Sequence, residues 1–138
     1  MRVLLDTNIL LDVLLKRPPF FADSSAVVAR CVARGIEMWI AWHGLATAYY
    51  FLKRGLREAD ALVEVDRIFS WAQVASVTDA DARRARSLGF TDFEDALQAV
   101  AAESCSADWL VTRNASDFRS SGVPAITPEE FLQRVPAP

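Results

Sequence analysis

An α/β fold, with a parallel sheet covered by helices on both faces, is what the order of apolar patterns in this sequence predicts. Short apolar runs at residues 3–5, 36–40, 71–77, 109–111 and 125–126 alternate with longer stretches of helical period. Parallel strands need long crossovers, and helical crossovers cover both sheet faces. Stop residues fall between the runs, at Pro18-Pro19, Gly35, Gly55 and Gly89. Four to five strands are expected.

The first strand (3–5) delivers Asp6 to its carboxyl end. It passes into a helix over 7–15, with Ile9, Leu10, Val13 and Leu14 on one face and Pro18-Pro19 as its stop. A second helix is capped by Asp23, Ser24 or Ser25. It takes its period from Ala26, Val27, Arg30, Cys31 and Arg34, and closes on Gly35. The alternating run 36–40 is the second strand. A third helix covers 42–54, with Leu45, Ala48, Tyr49 and Leu52 at helical spacing. Residues 58–70 form the fourth, with Leu62, Val65 and Phe69 inward and Glu58, Asp60, Glu64 and Arg67 outward. A third strand lies within 71–77, and a helix rich in Ala and Arg follows over 79–88. The sixth helix, 91–105, packs Phe93, Ala96, Leu97, Val100 and Ala101, and Thr91 with Glu94 fits a capping box at its start. The strand at 109–111 ends in a polar turn, and the strand at 125–126 leads to a terminal helix over 128–134. One domain over residues 1–134 with a frayed tail at 135–138 is expected.

With 138 residues, 52% of them hydrophobic, the chain can bury a core without disulfides or a structural metal. No apolar run reaches the roughly 20 residues of a membrane-spanning helix. Asp6 and Asp12 interrupt the N-terminal apolar run, so neither a membrane segment nor a signal peptide is expected. Cys31 and Cys105 have no CxxC spacing and read as buried thiols of a cytoplasmic protein. Fifteen basic against eighteen acidic side chains give a formal charge of −3. That balance excludes holding nucleic acid by bulk positive charge. Local basic clusters, bound cations or a partner must supply it instead.

Ligands of open parallel sheets sit beyond the carboxyl ends of the strands, where Asp6 stands. Near the start of the sixth helix, Asp92, Glu94 and Asp95 place three acids within four residues. That is more than helix N-terminal electrostatics asks for, and Asp92 and Asp95 share one helical side. The turn after residue 111 carries Thr112, Arg113, Asn114, Ser116 and Asp117 at the same sheet edge. Each of these is also an ordinary turn, cap or surface residue. Their meeting at one edge marks them: Asp6, Asp92 or Asp95, and Asn114 or Asp117 surround one pocket. Crowded carboxylates raise one another's pKa, and a divalent cation relieves the repulsion. Oxygen ligands without a Cys or His pair suit Mg²⁺ or Mn²⁺ rather than zinc. Such an ion points to phosphoryl chemistry, in which it activates water and stabilises charge on the leaving oxygen.

The segments Leu5-Asp6-Thr7-Asn8 with Ile9-Leu10-Leu11-Asp12, Asp92-Phe93-Glu94-Asp95-Ala96-Leu97, and Val111-Thr112-Arg113-Asn114 with Asp117-Phe118 resemble PIN domains. Pro128, Glu130, Phe131 and Leu132 match the closing segment. Within that group the chain is similar to the toxin ribonucleases of VapBC-type toxin–antitoxin modules. The resemblance implies a three-layer α/β/α sandwich and a Mg²⁺- or Mn²⁺-dependent endoribonuclease acting on single-stranded RNA. It further implies a homodimer and a small antitoxin as inhibitor. On this likeness Asp6 is the first metal ligand and Asp95 the helix ligand, with Asp92 its neighbour. Asn114 and Asp117 lie in the turn that supplies the last group, and Asp6, Asp95 and Asp117 are the expected catalytic set.

The family usually carries a glutamate on its third helix. Thr47 best matches that position here, and no acid occurs between Glu37 and Glu58. A threonine hydroxyl can still hold a metal-bound water, and His43 lies four residues earlier on the same helical face. Thr47, His43, Asn8 and Arg113 are therefore the expected substrate-binding or outer-sphere groups. Candidates for the RNA backbone are Lys16, Arg17, Lys53, Arg54, Arg57, Arg113 and Arg119. Aromatic residues near Tyr49, Tyr50, Phe51 and Phe69 offer surface for a dimer.

Two other functions compete. Without the third-helix glutamate, a catalytically degenerate domain acting as a binding module is one. An aspartyl-phosphate enzyme of the dehalogenase type is the other, but its second Asp, two residues after the nucleophile, is Asn8 here. A serine or cysteine nucleophile has little support, because His43 is the only histidine and no GxSxG occurs.

Overall fold

The computed structural model describes residues 1–138. Strands β1 (Arg2–Leu5), β2 (Glu37–Ile40), β3 (Ala72–Val74), β4 (Trp109–Val111) and β5 (Ala125–Ile126) pair in parallel throughout, in the order β3-β2-β1-β4-β5. Seven helices accompany them: α1 (Thr7–Leu15), α2 (Phe21–Arg34), α3 (Trp42–Lys53), α4 (Glu58–Phe69), α5 (Asp79–Ser87), α6 (Phe93–Ser104) and α7 (Pro128–Arg134). A 3-10 turn, Ala115–Phe118, follows β4.

β1 shows how the layers arise. Side chains of a strand alternate between faces. Val3 and Leu5 enter a core shared with α1, α2, α3, α4 and α7, while Leu4 packs with α6 residues and Leu110 on the opposite face. All three are essentially unexposed, as expected of a central parallel strand. α5 lies against α6 through Ala85, Ala96 and Val100. The predicted three-layer α/β/α sandwich is the observed one, with five strands. No helix is long and apolar enough to cross a membrane.

The strand order fixes where a ligand can sit. From β1 to β2 to β3 the sheet grows in one direction, with α1 to α4 packed on one face. The chain then returns through α5 and α6 and sets β4 against the other side of β1. The reversal falls between β1 and β4. Open α/β sheets bind ligands at such a point, beyond the strands' carboxyl ends.

Three local expectations are corrected. α2 begins at Phe21, ahead of the three candidate caps; Ser24 lies buried inside it and donates to Asp12 Oδ2 at 3.1 Å. In α4 the inward stripe is Ala61 and Ile68, whereas Leu62 and Phe69 are 47% and 52% exposed. The apolar arc of α4 is wider than the strip its neighbours cover, so periodicity alone does not say which part turns in. Phe93 is also exposed, because it starts α6 beyond the sheet's edge. At the C-terminus Val135 is buried and its N–H donates to the Phe131 carbonyl. Cys31 and Cys105 are buried free thiols.

Candidate metal centre

Asp6 ends β1 and starts α1 at once. Its N–H donates to the Val111 carbonyl, and its own carbonyl accepts the N–H groups of Ile9 and Leu10. The carboxylate does not cap the helix. Instead Oδ2 accepts the Thr112 hydroxyl at 2.8 Å, across the reversal between β1 and β4. Oδ1 is buried and has no partner. Burial pushes the Asp6 carboxyl up to about 6 against the pull of Thr112, with the Glu94 charge adding to the rise and the Asn8 and Thr7 amides opposing it. A buried carboxylate oxygen without a donor is costly, and a cation is one way to satisfy it.

The start of α6 brings the next acids. Asp92 is the N-cap, accepting the Glu94 N–H at 2.7 Å, so the expected Thr91–Glu94 capping box does not form. The Glu94 side chain turns back towards α1 and α3. Its Oε1 accepts from Thr7 Oγ1 at 3.2 Å, His43 Nε2 at 3.0 Å and Gln98 Nε2 at 2.9 Å. Gln98 is fully buried and also donates to the Thr7 hydroxyl. Gly44 makes this approach possible, since a Cβ there would lie 2.8 Å from Thr7 Oγ1. Burial favours a protonated Glu94, but hydrogen bonds from His43 and Gln98, the proximity of His43 and the Thr7 hydroxyl outweigh it. They hold the carboxyl below its ordinary value.

Asp95 behaves in the opposite way. Burial first, then the charges of Asp6, Asp92, Glu94 and Asp117, push it up to about 6. Carboxylate oxygens of Asp92, Glu94 and Asp95 lie within 4.8 Å of one another. Asp117 sits in the 3-10 turn, its N–H on the Asn114 carbonyl, and buried Phe118 anchors the turn against Phe90 at 6.0 Å between ring centroids. The Asn114 N–H donates to Thr112 Oγ1 at 3.2 Å, so one threonine ties Asp6 to the turn.

The structure thus brings Asp6, Asp92, Asp95 and Asp117 to one edge and adds Glu94, which the sequence reading assigned to a cap. Three acids in four residues was the available signal. Asn8 is half-buried and turns its backbone amide towards Asp6. Thr47 is half-buried in α3, and it is His43, one turn earlier, that reaches an acid. Arg113 finds a different partner from the expected phosphate. Its Nε lies 3.4 Å from the fully buried Asp12, and its guanidinium stacks 3.9 Å over the Phe20 ring. Burial raises Asp12, while Arg113, Ser24 and Arg17 pull it back.

Of the remaining basic candidates, Arg119 directly follows the 3-10 turn that carries Asp117, and the others lie elsewhere. α1 and α3 start at the carboxyl edge and run back along the sheet at about 1.5 Å per residue, so Lys16, Arg17, Lys53, Arg54 and Arg57 cluster past their far ends. Arg17 and Arg54 flank the Phe51 ring, Lys53 pairs with Glu58, and Arg57 pairs with Asp60. At the ends of β2 and β3 opens a cleft of 440 Å³ lined by Trp42, Val74, Ala75, Ser76 and Val77. An all-oxygen ligand set with one orphaned buried oxygen fits a hard divalent cation.

A family model described as PIN domain matches residues 2–116. No curated protein gives a significant match. Among solved structures the chain is similar to VapBC2 from Rickettsia felis bound to a promoter DNA fragment, at 18% identity and TM-score 0.72, covering 92% of this chain and 98% of that one. It is also similar to VapBC-1 from nontypeable Haemophilus influenzae, at 16% identity and TM-score 0.71, covering 94% and 99%. A toxin–antitoxin complex from Klebsiella pneumoniae matches at 21% identity and TM-score 0.68, covering 91% and 97%. At these identities the likeness shows a shared fold.

Proposed function

The chain belongs to the PIN domain family, and from that premise we propose that it is a Mg²⁺- or Mn²⁺-dependent endoribonuclease of single-stranded RNA, the toxin of a toxin–antitoxin pair. The observation that carries this reading is Asp6: a buried carboxylate with an unsatisfied Oδ1, held at the sheet's reversal point and coupled to Asp95. Asp6, Asp95 and Asp117 would hold the ion, with Asp92 and Asn114 beside them. When bound, the ion supplies charge neutralisation and Lewis-acid assistance at a phosphodiester. Thr112 fixes Asp6 so that only Oδ1 is left for the ion, and the 3-10 turn carries Asp117 to the same edge. No protein nucleophile is needed, and the single histidine is occupied with Glu94.

The relatives compared are complexes of toxins with antitoxins. A partner of that kind suits the apolar groove of 540 Å³ between α1, α3 and α4, lined by Val13, Leu14, Phe51, Leu56 and Trp71. Exposed Leu62, Val63, Phe69 and Tyr50 offer further apolar area for a second copy of the chain. The reading places the protein in the cytoplasm, with its RNA substrate. Its test is Mn²⁺-dependent cleavage of single-stranded RNA by the purified chain. Asp6→Asn should abolish cleavage and leave the fold intact by circular dichroism; unchanged cleavage would overturn the proposal.

Thr47 in place of the α3 glutamate, together with the distance of the basic cluster from the acids, favours a second reading as a binding module without catalysis. Calorimetric titration separates the two. A chain that takes up no Mn²⁺ at millimolar concentration is the module.

A further inference from the structure

We propose that Glu94 takes over the role of the absent third-helix glutamate, joining Asp6 and Asp95 as a ligand of the divalent cation while Thr7, His43 and Gln98 clamp its other oxygen. The inference rests on the cation site proposed above and adds a carboxylate to it. α3 carries no acid, since none occurs between Glu37 and Glu58. What α3 brings to the edge is a donor, His43, which grips a carboxylate arriving from α6.

Two independent observations support the assignment. All three hydrogen bonds to Glu94 fall on Oε1, and Oε2 accepts none. A ligating carboxylate is commonly held in this way, one oxygen oriented by outer donors and one left for the ion. Separately, Asp6 Oδ1 is buried and unpartnered, and Thr7, the next residue, donates its hydroxyl to Glu94 Oε1. The clamped carboxylate is thus tied to the residue beside Asp6, and one of its oxygens lies within 4.8 Å of one of Asp95. A purely structural Glu94, one that only links α1, α3 and α6, needs Oε1 alone. Glutamine would serve that purpose as well, which makes the two roles separable.

The experiment is calorimetric titration of the full chain, stripped of metal by EDTA, with Mn²⁺ as the probe, alongside metal-free thermal melts. Glu94→Gln keeps the Oε1 acceptor and removes the charge. It should melt close to the wild type without metal and bind Mn²⁺ roughly tenfold more weakly or worse. Asp6→Asn should lose binding similarly, and Asp66→Asn, which removes an exposed charge from α4, should stay within about twofold of the wild type. Wild-type affinity in Glu94→Gln with binding lost in Asp6→Asn overturns the role of Glu94 and leaves the cation site standing. No Mn²⁺ uptake by the wild type overturns the cation site itself, and the proposal with it. If Glu94→Gln does not fold, Glu94→Asp replaces it, retaining charge but withdrawing it by one methylene. A roughly tenfold loss is again expected, and wild-type affinity again refutes the assignment.

Discussion

Asp6 and Asp95 are each raised from 3.8 to about 6 by burial and by neighbouring acids. The folded chain therefore holds protons that the unfolded chain has already released between pH 3.8 and about 6. Stability contributed by these groups is greatest below that window, falls as pH rises through it, and stays low above it unless a cation binds. Replacing Asp6 by asparagine removes one of the charges and keeps an acceptor for Thr112. At pH 7.5 and without metal, Asp6→Asn should stabilise the fold by on the order of 2 kcal/mol. Near pH 4 the gain should vanish, because the wild-type carboxyl is then neutral. Urea denaturation at the two pH values checks this, and an equal gain at both would refute it. Asp6 itself was legible from the sequence, since a strand followed by a helix places its last residue at the sheet's carboxyl edge. Its protonation state was not, because that depends on burial and on Glu94 and Asp95, far along the chain.

At the level of elements, the meeting of α1, α3 and α6 depends on one glycine. In an ordinary exposed helix, Gly→Ala gains about 1 kcal/mol. At Gly44 the added Cβ would meet Thr7 Oγ1 at 2.8 Å, and that hydroxyl is already engaged by Glu94 and Gln98. Gly44→Ala should therefore lower the melting temperature rather than raise it, and should weaken Mn²⁺ binding by loosening the clamp; thermal melts and titration read both effects. The helices themselves were readable from period and stop residues, with α1 and α7 matching their expected spans. Cap choice and rotation were not. Asp92 outcompetes Thr91 at the start of α6 because tertiary donors claim the Glu94 side chain that a capping box would use. α4 turns Ala61 and Ile68 inward because the strip it packs against is narrower than its apolar arc.

Across the whole molecule, most ion pairs lie at the surface, among them Lys53 with Glu58 and Arg84 with Glu103. A single ion pair crosses into the interior. Asp12 of α1 meets Arg113 of the turn after β4, with Ser24 of α2 as its second partner. This pair joins two helices of one layer to the turn that carries Asn114 and Asp117. Arg113→Ala leaves Asp12 buried and without its cation, and should destabilise the fold by about 3–5 kcal/mol in urea denaturation. A loss below about 1 kcal/mol would mean the pair acts like an exposed one.

What the sequence determined by itself was the alternation of strands and helices, hence a parallel sheet, and the expectation of Asp6, Asp92 or Asp95, and Asn114 or Asp117 at one edge. Those features follow from local period, local caps and the polarity of each strand. Only the tertiary structure decided the strand order that puts the reversal between β1 and β4, the clamp on Glu94 and the inward turn of Arg113. The physical reason is separation along the chain: Thr7 and Glu94 are 87 residues apart, and Asp6 and Thr112 are 106 apart. No local pattern encodes which of several polar side chains will meet across such distances; packing of the whole sandwich selects them.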